Sequence, residues 1–175
     1  MARCKICKTL FKKRSITHYC CSPECAIKFC NQEKEKRIKT EIKKRREAIK
    51  SRSQWLKEAQ VTFNAYIRAR DYGKPCISCQ KNSGAKMNAG HYRSVGAAPE
   101  LRFEELNVHL QCEHCNTHLS SNAIEYRINL VKLIGADKVE WLEGPHEPKK
   151  YTIDDAKNIK MVYKLKLKEL KNALS

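Results

Sequence analysis

The chain has 175 residues, enough for one or two small domains with modest cores. Lys and Arg number 36 against 19 Asp and Glu, a formal charge of +17, which favours a polyanionic partner: nucleic acid first, an anionic membrane surface second. The membrane reading is the weaker one: no apolar run approaches the ~20 residues of a spanning helix, and Lys5, Lys8, Lys12, Lys13 and Arg14 interrupt any signal-like core. These features point to a soluble protein of the bacterial or host cytoplasm.

Residues 1–30 carry Cys4-x-x-Cys7 and Cys21-x-x-x-Cys25. In a chain without an export signal, such pairs suit a metal better than disulfides. Four thiolates close a tetrahedral zinc site, so this ion is expected to be structural and to stabilise a segment too small to fold alone. Cys20 is a rival for Cys21. The ending Tyr19-Cys20-Cys21-Ser22-Pro23-Glu24-Cys25 is similar to that of small bacterial zinc ribbons, in which Ser follows the ligand, and this favours Cys21.

Residues 31–70 read as a basic helical linker. Its first part, 31–53, is rich in Lys, Arg and Glu and lacks Gly and Pro, so it is an exposed helix. Lys43, Lys44, Arg45 and Arg46 are its candidate phosphate contacts. From 54 to 70 a second helix repeats Trp55, Ala59, Phe63, Tyr66 and Ile67 at helical spacing, a stripe assigned to a core. Asp71-Tyr72-Gly73-Lys74-Pro75 ends it.

Residues 71–135 hold Cys76-x-x-Cys79 and Cys112-x-x-Cys115, a second four-thiolate set for structural zinc. Extended pieces are expected at Gly90–Arg93 and Val108–Gln111. A helix is expected from Glu113 to Ile134, with Ile124, Ile128, Val131 and Ile134 on its apolar face and Gly135 as its stop. Residues 136–150 read as a loop. Thr152 and Asp155 resemble a capping box that opens an amphipathic helix with Ala156, Ile159, Tyr163, Leu167, Leu170 and Leu174 in its stripe. That stripe can close the core or pair two chains in a homodimer.

The residues between the second pair of knuckles resemble HNH (ββα-metal) endonucleases. In that family an Asn lies five residues before the first cysteine of the second pair and nine before a metal ligand in the helix. Asn107, Cys112 and Asn116 keep these offsets, and Ala89-Gly90-His91-Tyr92 supplies the His strand. The resemblance implies a small α+β fold: an N-terminal zinc knuckle, a long basic helix, a treble-clef HNH domain with structural zinc, and a C-terminal helix. It implies that His91 is the general base, that Asn107 braces the hairpin and orients the His ring, and that Asn116 holds Mg²⁺ or Mn²⁺.

Many HNH enzymes carry an Asp before the catalytic His as a second metal ligand; Gly90 stands there. Either the ion rests on Asn116 with waters and DNA phosphate, or another group substitutes, with His109 and His118 as the nearby candidates. Arg93 and Arg102 are candidate phosphate clamps.

The N-terminal Cys₄ group, the basic helix, Gly90-His91-Tyr92-Arg93-Ser94 and Leu106-Asn107-Val108-His109-Leu110-Gln111-Cys112 together resemble the NinG (Rap) recombination proteins of lambdoid phages. That resemblance implies an endonuclease for branched DNA, including Holliday junctions and D-loops. The alternatives are a non-catalytic zinc-ribbon DNA-binding protein and an HNH nickase of ordinary duplex.

Overall fold

In the computed structural model, which describes residues 1–82 and 86–173, the chain divides into two units, Met1–Lys50 and Ser51–Ser175. In the first, two short strands, β1 (Ala2–Arg3) and β2 (Leu10–Phe11), pair antiparallel. A 26-residue helix, α1 (Pro23–Ala48), follows. It begins well before residue 31, where the sequence reading placed its start. The cause is local: Ser22 accepts a hydrogen bond from the Cys25 amide, and Pro23 occupies the first turn, where its missing N–H costs nothing. No residue of α1 is buried. The pairs Lys36–Glu33 and Arg45–Glu41 lie along its surface, and Lys43, Lys44, Arg45 and Arg46 are all exposed.

The second unit opens with α2 (Arg52–Arg70), whose Ser51 and Gln54 form a reciprocal capping box. The five stripe residues read from the sequence are its buried ones. A hairpin of β3 (Met87–His91) and β4 (Val108–Cys112) follows, with His91 opposite Val108 and Met87 opposite Cys112. The first strand thus ends at His91 instead of spanning Gly90–Arg93. Three helices complete the unit: α3 (Ala123–Ile134), α4 (Ala136–Glu143) and α5 (Ile153–Ala173).

One core lies between α2, α5 and a hairpin face. It contains Trp55, Phe63, Ile67, Phe103, Val108 and Tyr163, with Ala89, Leu167 and Leu170 packed against it. Phe63 meets Tyr163 edge-on at 4.7 Å and Phe103 at 5.7 Å, pairs each worth about 0.5–1.5 kcal/mol beyond the area they bury. The α5 stripe is therefore spent within the chain, on α2. Leu174, which the sequence reading added to it, lies outside the described residues. The Thr152–Asp155 box forms as read: the Thr152 amide donates to Asp155, and the Asp155 amide to Thr152 Oγ1. A second core joins Ile77, Leu101, Tyr126, Leu130, Val139 and Leu142.

Two expectations are corrected here. The helix expected over 113–134 is broken: a π-turn at His114–His118 is followed by Ser120, Ser121 and Asn122, all with positive φ (48°, 72° and 43°). The helix restarts at Ala123 in a new phase, so Tyr126 and Leu130 are buried while Ile124 is 77% exposed. The loop expected at 136–150 contains α4, which buries Val139 and Leu142 completely.

Candidate active site and metal centres

Two sets of four thiols converge. In each of Cys4/Cys7/Cys21/Cys25 and Cys76/Cys79/Cys112/Cys115 the Sγ atoms lie within 4.8 Å of one another. Tetrahedral zinc with bonds of ~2.3 Å places its sulfurs roughly 3.8 Å apart. The separations of 3.4 Å for Cys7–Cys21, 4.0 Å for Cys21–Cys25 and 3.9 Å for Cys79–Cys112 suit such an ion. Cys21 belongs to the first set; Cys20 is buried outside it. The two Cys-x-x-Cys turns share one closure. Lys8 (φ 64°) donates its amide to the Cys4 carbonyl, as Gln80 (φ 56°) does to Cys76. A left-handed non-glycine residue costs energy, and two matched instances directly after cysteine pairs fit a bound metal that repays it. Both sets can hold zinc.

The third constellation gathers around residues 91–107. His91 ends β3, half-buried, and its Nε2 lies 3.0 Å from the Arg102 carbonyl oxygen. A carbonyl only accepts, so Nε2 carries the proton and Nδ1 is left with a lone pair. Burial lowers the His91 pKa, the Arg102 charge adds to this, and the bond to the carbonyl opposes it. The ring is therefore neutral near pH 7.

Arg102 contributes at both ends. Its guanidinium lies over the Phe103 ring at 5.3 Å, and its Nε donates to Gln60 Oε1 at 2.8 Å. Gln60 is held in turn by donating to Asn64 Oδ1 at 2.8 Å. The two terminal nitrogens of Arg102 have no hydrogen-bond partner among the described residues. Gln60 and Asn64, one helical turn apart on α2, are missed by the sequence reading; the only signal is a polar pair beside an apolar stripe. Arg93 differs from Arg102, for its Nε is buried without a partner.

Asn107 is fully buried. Its Oδ1 accepts from the Arg93 amide at 2.7 Å, and its Nδ2 donates to the carbonyls of Arg93 and Leu101 at 3.0 and 3.1 Å. The expected bond from Asn107 to the His91 ring is absent among the described residues. Asn107 instead clasps both ends of the 93–101 loop, and the residue following that loop, Arg102, holds the ring.

Gly90 has a physical reason. A Cβ there would lie 2.1 Å from Gln111 Oε1. Gln111 is fully buried, and its Nε2 donates to Ser78 Oγ and the Ser121 carbonyl at 2.7 and 2.6 Å. Its Oε1 has no partner, so a neutral oxygen occupies the space a residue-90 side chain would need.

Of the two substitutes for the missing Asp, His109 is ruled out. It is buried, its Nε2 is bonded to the Leu106 carbonyl and its Nδ1 faces Arg70. Burial pushes its pKa down to about 4, with the Arg70 charge adding to the shift. His118 is exposed at the end of the π-turn, 5.8 Å from the His114 ring. Asn116 sits mid-turn, half-exposed, with no side-chain hydrogen bond among the described residues. His91, Asn107 and Arg102 are thus joined through one loop, and no hydrogen bond links Asn116 to them.

A chain with two four-cysteine clusters that can hold zinc, and a histidine held neutral on a backbone carbonyl, is the class that fold and site define. The family model described as bacteriophage lambda NinG protein matches residues 1–173. The chain is 42% identical to protein ninG of Escherichia phage lambda over 99% of its own length and 95% of the relative's. It is 40% identical, with the same coverage, to protein ninG of Salmonella phage P22 and of Escherichia phage 933W. The chain belongs to the NinG family of lambdoid phages. No solved structure matches it. Among the described residues no helix is long and apolar enough to cross a membrane.

Proposed function

We propose that the chain is an HNH-type, metal-dependent DNA endonuclease that acts in the host cytoplasm on branched recombination intermediates such as Holliday junctions and D-loops. The observation that carries the catalytic part is His91, held neutral with Nε2 on the Arg102 carbonyl and Nδ1 unengaged. Such a ring can take a proton from water attacking a phosphodiester. The Arg102 guanidinium, placed by Gln60, can pair with the phosphate.

Asn116 would hold the divalent ion, magnesium or manganese, through its unengaged amide oxygen. One neutral donor suits an ion that keeps most of its water. When bound, that ion supplies positive charge to the phosphate and the leaving oxygen. The preference for branched DNA rests on the family resemblance. Symmetric resolution of a junction needs two cuts and suits a homodimer, whose seam would lie away from the α5 stripe already packed on α2.

Gly90 favours a second reading, because the position that usually supplies a carboxylate ligand is blocked by Gln111. On that reading the chain binds DNA through zinc modules without cutting. Zinc-loaded protein incubated with Mg²⁺ and a synthetic four-way junction, beside linear duplex of equal length, separates the readings. Junction cutting supports the proposal. Equal cutting of both substrates indicates a duplex nickase, and binding without cutting under several divalent ions indicates the second reading.

A further inference from the structure

The first unit contains a groove that the nuclease site does not use. It has a volume of about 680 Å³, inside the ~300–1,000 Å³ range of small-ligand clefts. Its walls carry two ring pairs: Phe11 against His18 at 5.0 Å, and Tyr19 against Phe29 at 5.7 Å. Lys12 and Arg14 line it, and no acidic side chain does. Lys13 Nζ lies 5.3 Å from the Tyr19 ring centre. Tyr19 is 38% exposed, and the other three rings are half-buried, because a knuckle this small cannot cover them.

We infer that this groove binds an unpaired nucleotide of a DNA strand, with the base against the aromatic wall and its phosphates on Lys12 and Arg14. Aromatic rings beside cations are how proteins hold single strands without reading sequence. A base inside a duplex is stacked on both faces and has none to offer, so the groove selects single-stranded tails, gaps or opened junction centres. The surrounding charge agrees: Met1–Lys50 carries 16 Lys and Arg against 5 Glu, or +11 of the chain's +17. The inference rests on DNA being the partner, but not on the chain cutting it.

The test is binding by the full-length, zinc-loaded protein without added magnesium. Fluorescence anisotropy compares a plain duplex with one bearing a short single-stranded tail that contains 2-aminopurine. Wild type should prefer the tailed duplex and quench the 2-aminopurine by stacking. Phe29→Ala should lose roughly 5- to 150-fold in tail affinity, the range of one base–aromatic stack, while plain-duplex binding holds. Phe29→Tyr should restore it. If Phe29→Ala loses its zinc, the surface double variant Lys12→Ser/Arg14→Ser provides the same readout. Absence of a tail preference in wild type, or its retention in the variants, overturns the inference. Because no cleavage is read, a wild type that never cuts DNA refutes the nuclease reading and leaves this result interpretable.

Discussion

At residue 90 a single hydrogen in place of a side chain is required by Gln111. Even a methyl would press on an amide held by Ser78 and the Ser121 carbonyl, so it cannot move without breaking buried hydrogen bonds. Gly90→Ala is therefore expected to cost about 1–3 kcal/mol, the range for overpacking a core. Thermal or urea unfolding measures this, and Gln111→Ala in the same chain should relieve part of it, because the two sites are coupled. Additive losses would contradict the contact.

His109, buried, and His91, half-buried, both have folded pKa values below the unfolded value near 6.5, so each favours the neutral ring. The unfolded chain then binds more protons, and stability is fullest above pH 6.5 and falls as the pH drops towards the folded values. For His109, at about 4, this amounts to about 3 kcal/mol lost across that window. An NMR titration should find the His109 ring still neutral at pH 6. The same sign applies to cleavage: the rate should rise with pH through an inflection below 6.5 and then level off. An inflection above 6.5 would contradict His91 as a base with a lowered pKa.

Among the elements, α2 is the most informative. Its five-residue apolar stripe was legible because helical spacing and real burial coincide along an uninterrupted helix. The phase of α3 was not, because three consecutive left-handed residues rotate the chain before Ala123, and Ser-Ser-Asn gives no unique sign of that. The helix α4 was hidden by Gly135 and Pro145, which punctuate a segment whose only apolar signal is the spacing of Val139 and Leu142.

At the candidate site the two four-cysteine sets were legible from spacing, while His91 and Asn107 were named by the resemblance to HNH enzymes. The means by which His91 is held was not: a backbone carbonyl carries no side-chain identity, and the Gln60–Asn64 support arrives from a distant helix. The α2–α5 core also sets a stability test. Phe63→Ala should cost about 3–5 kcal/mol, since Phe63 is fully buried against two aromatic rings. A loss under about 1 kcal/mol in urea unfolding would mean that the two helices do not pack as described.

For the whole molecule, charge is unevenly divided, with most of the surplus in the unit that holds α1. Phosphate contacts release counterions, so DNA affinity should fall steeply with salt. Replacing Lys43, Lys44, Arg45 and Arg46 with Ala should weaken all DNA substrates alike and flatten the slope of log affinity against log salt by up to roughly 0.9 per lost contact. An unchanged slope would mark α1 as a solvated rod. On the proposed reading the two units divide the work: the first would bind DNA through its groove and basic helix, and the second would cut it at the His91 loop.

That division depends on one histidine, and a single comparison tests it most directly. Single-turnover cleavage of a four-way junction in Mg²⁺ is measured for wild type and His91→Ala, with zinc content and junction affinity measured on the same samples. The account predicts two zinc ions per chain and unchanged affinity in both proteins, with cleavage reduced about 10²- to 10⁴-fold by the substitution. Cleavage at the wild-type rate by a zinc-loaded His91→Ala protein would contradict it.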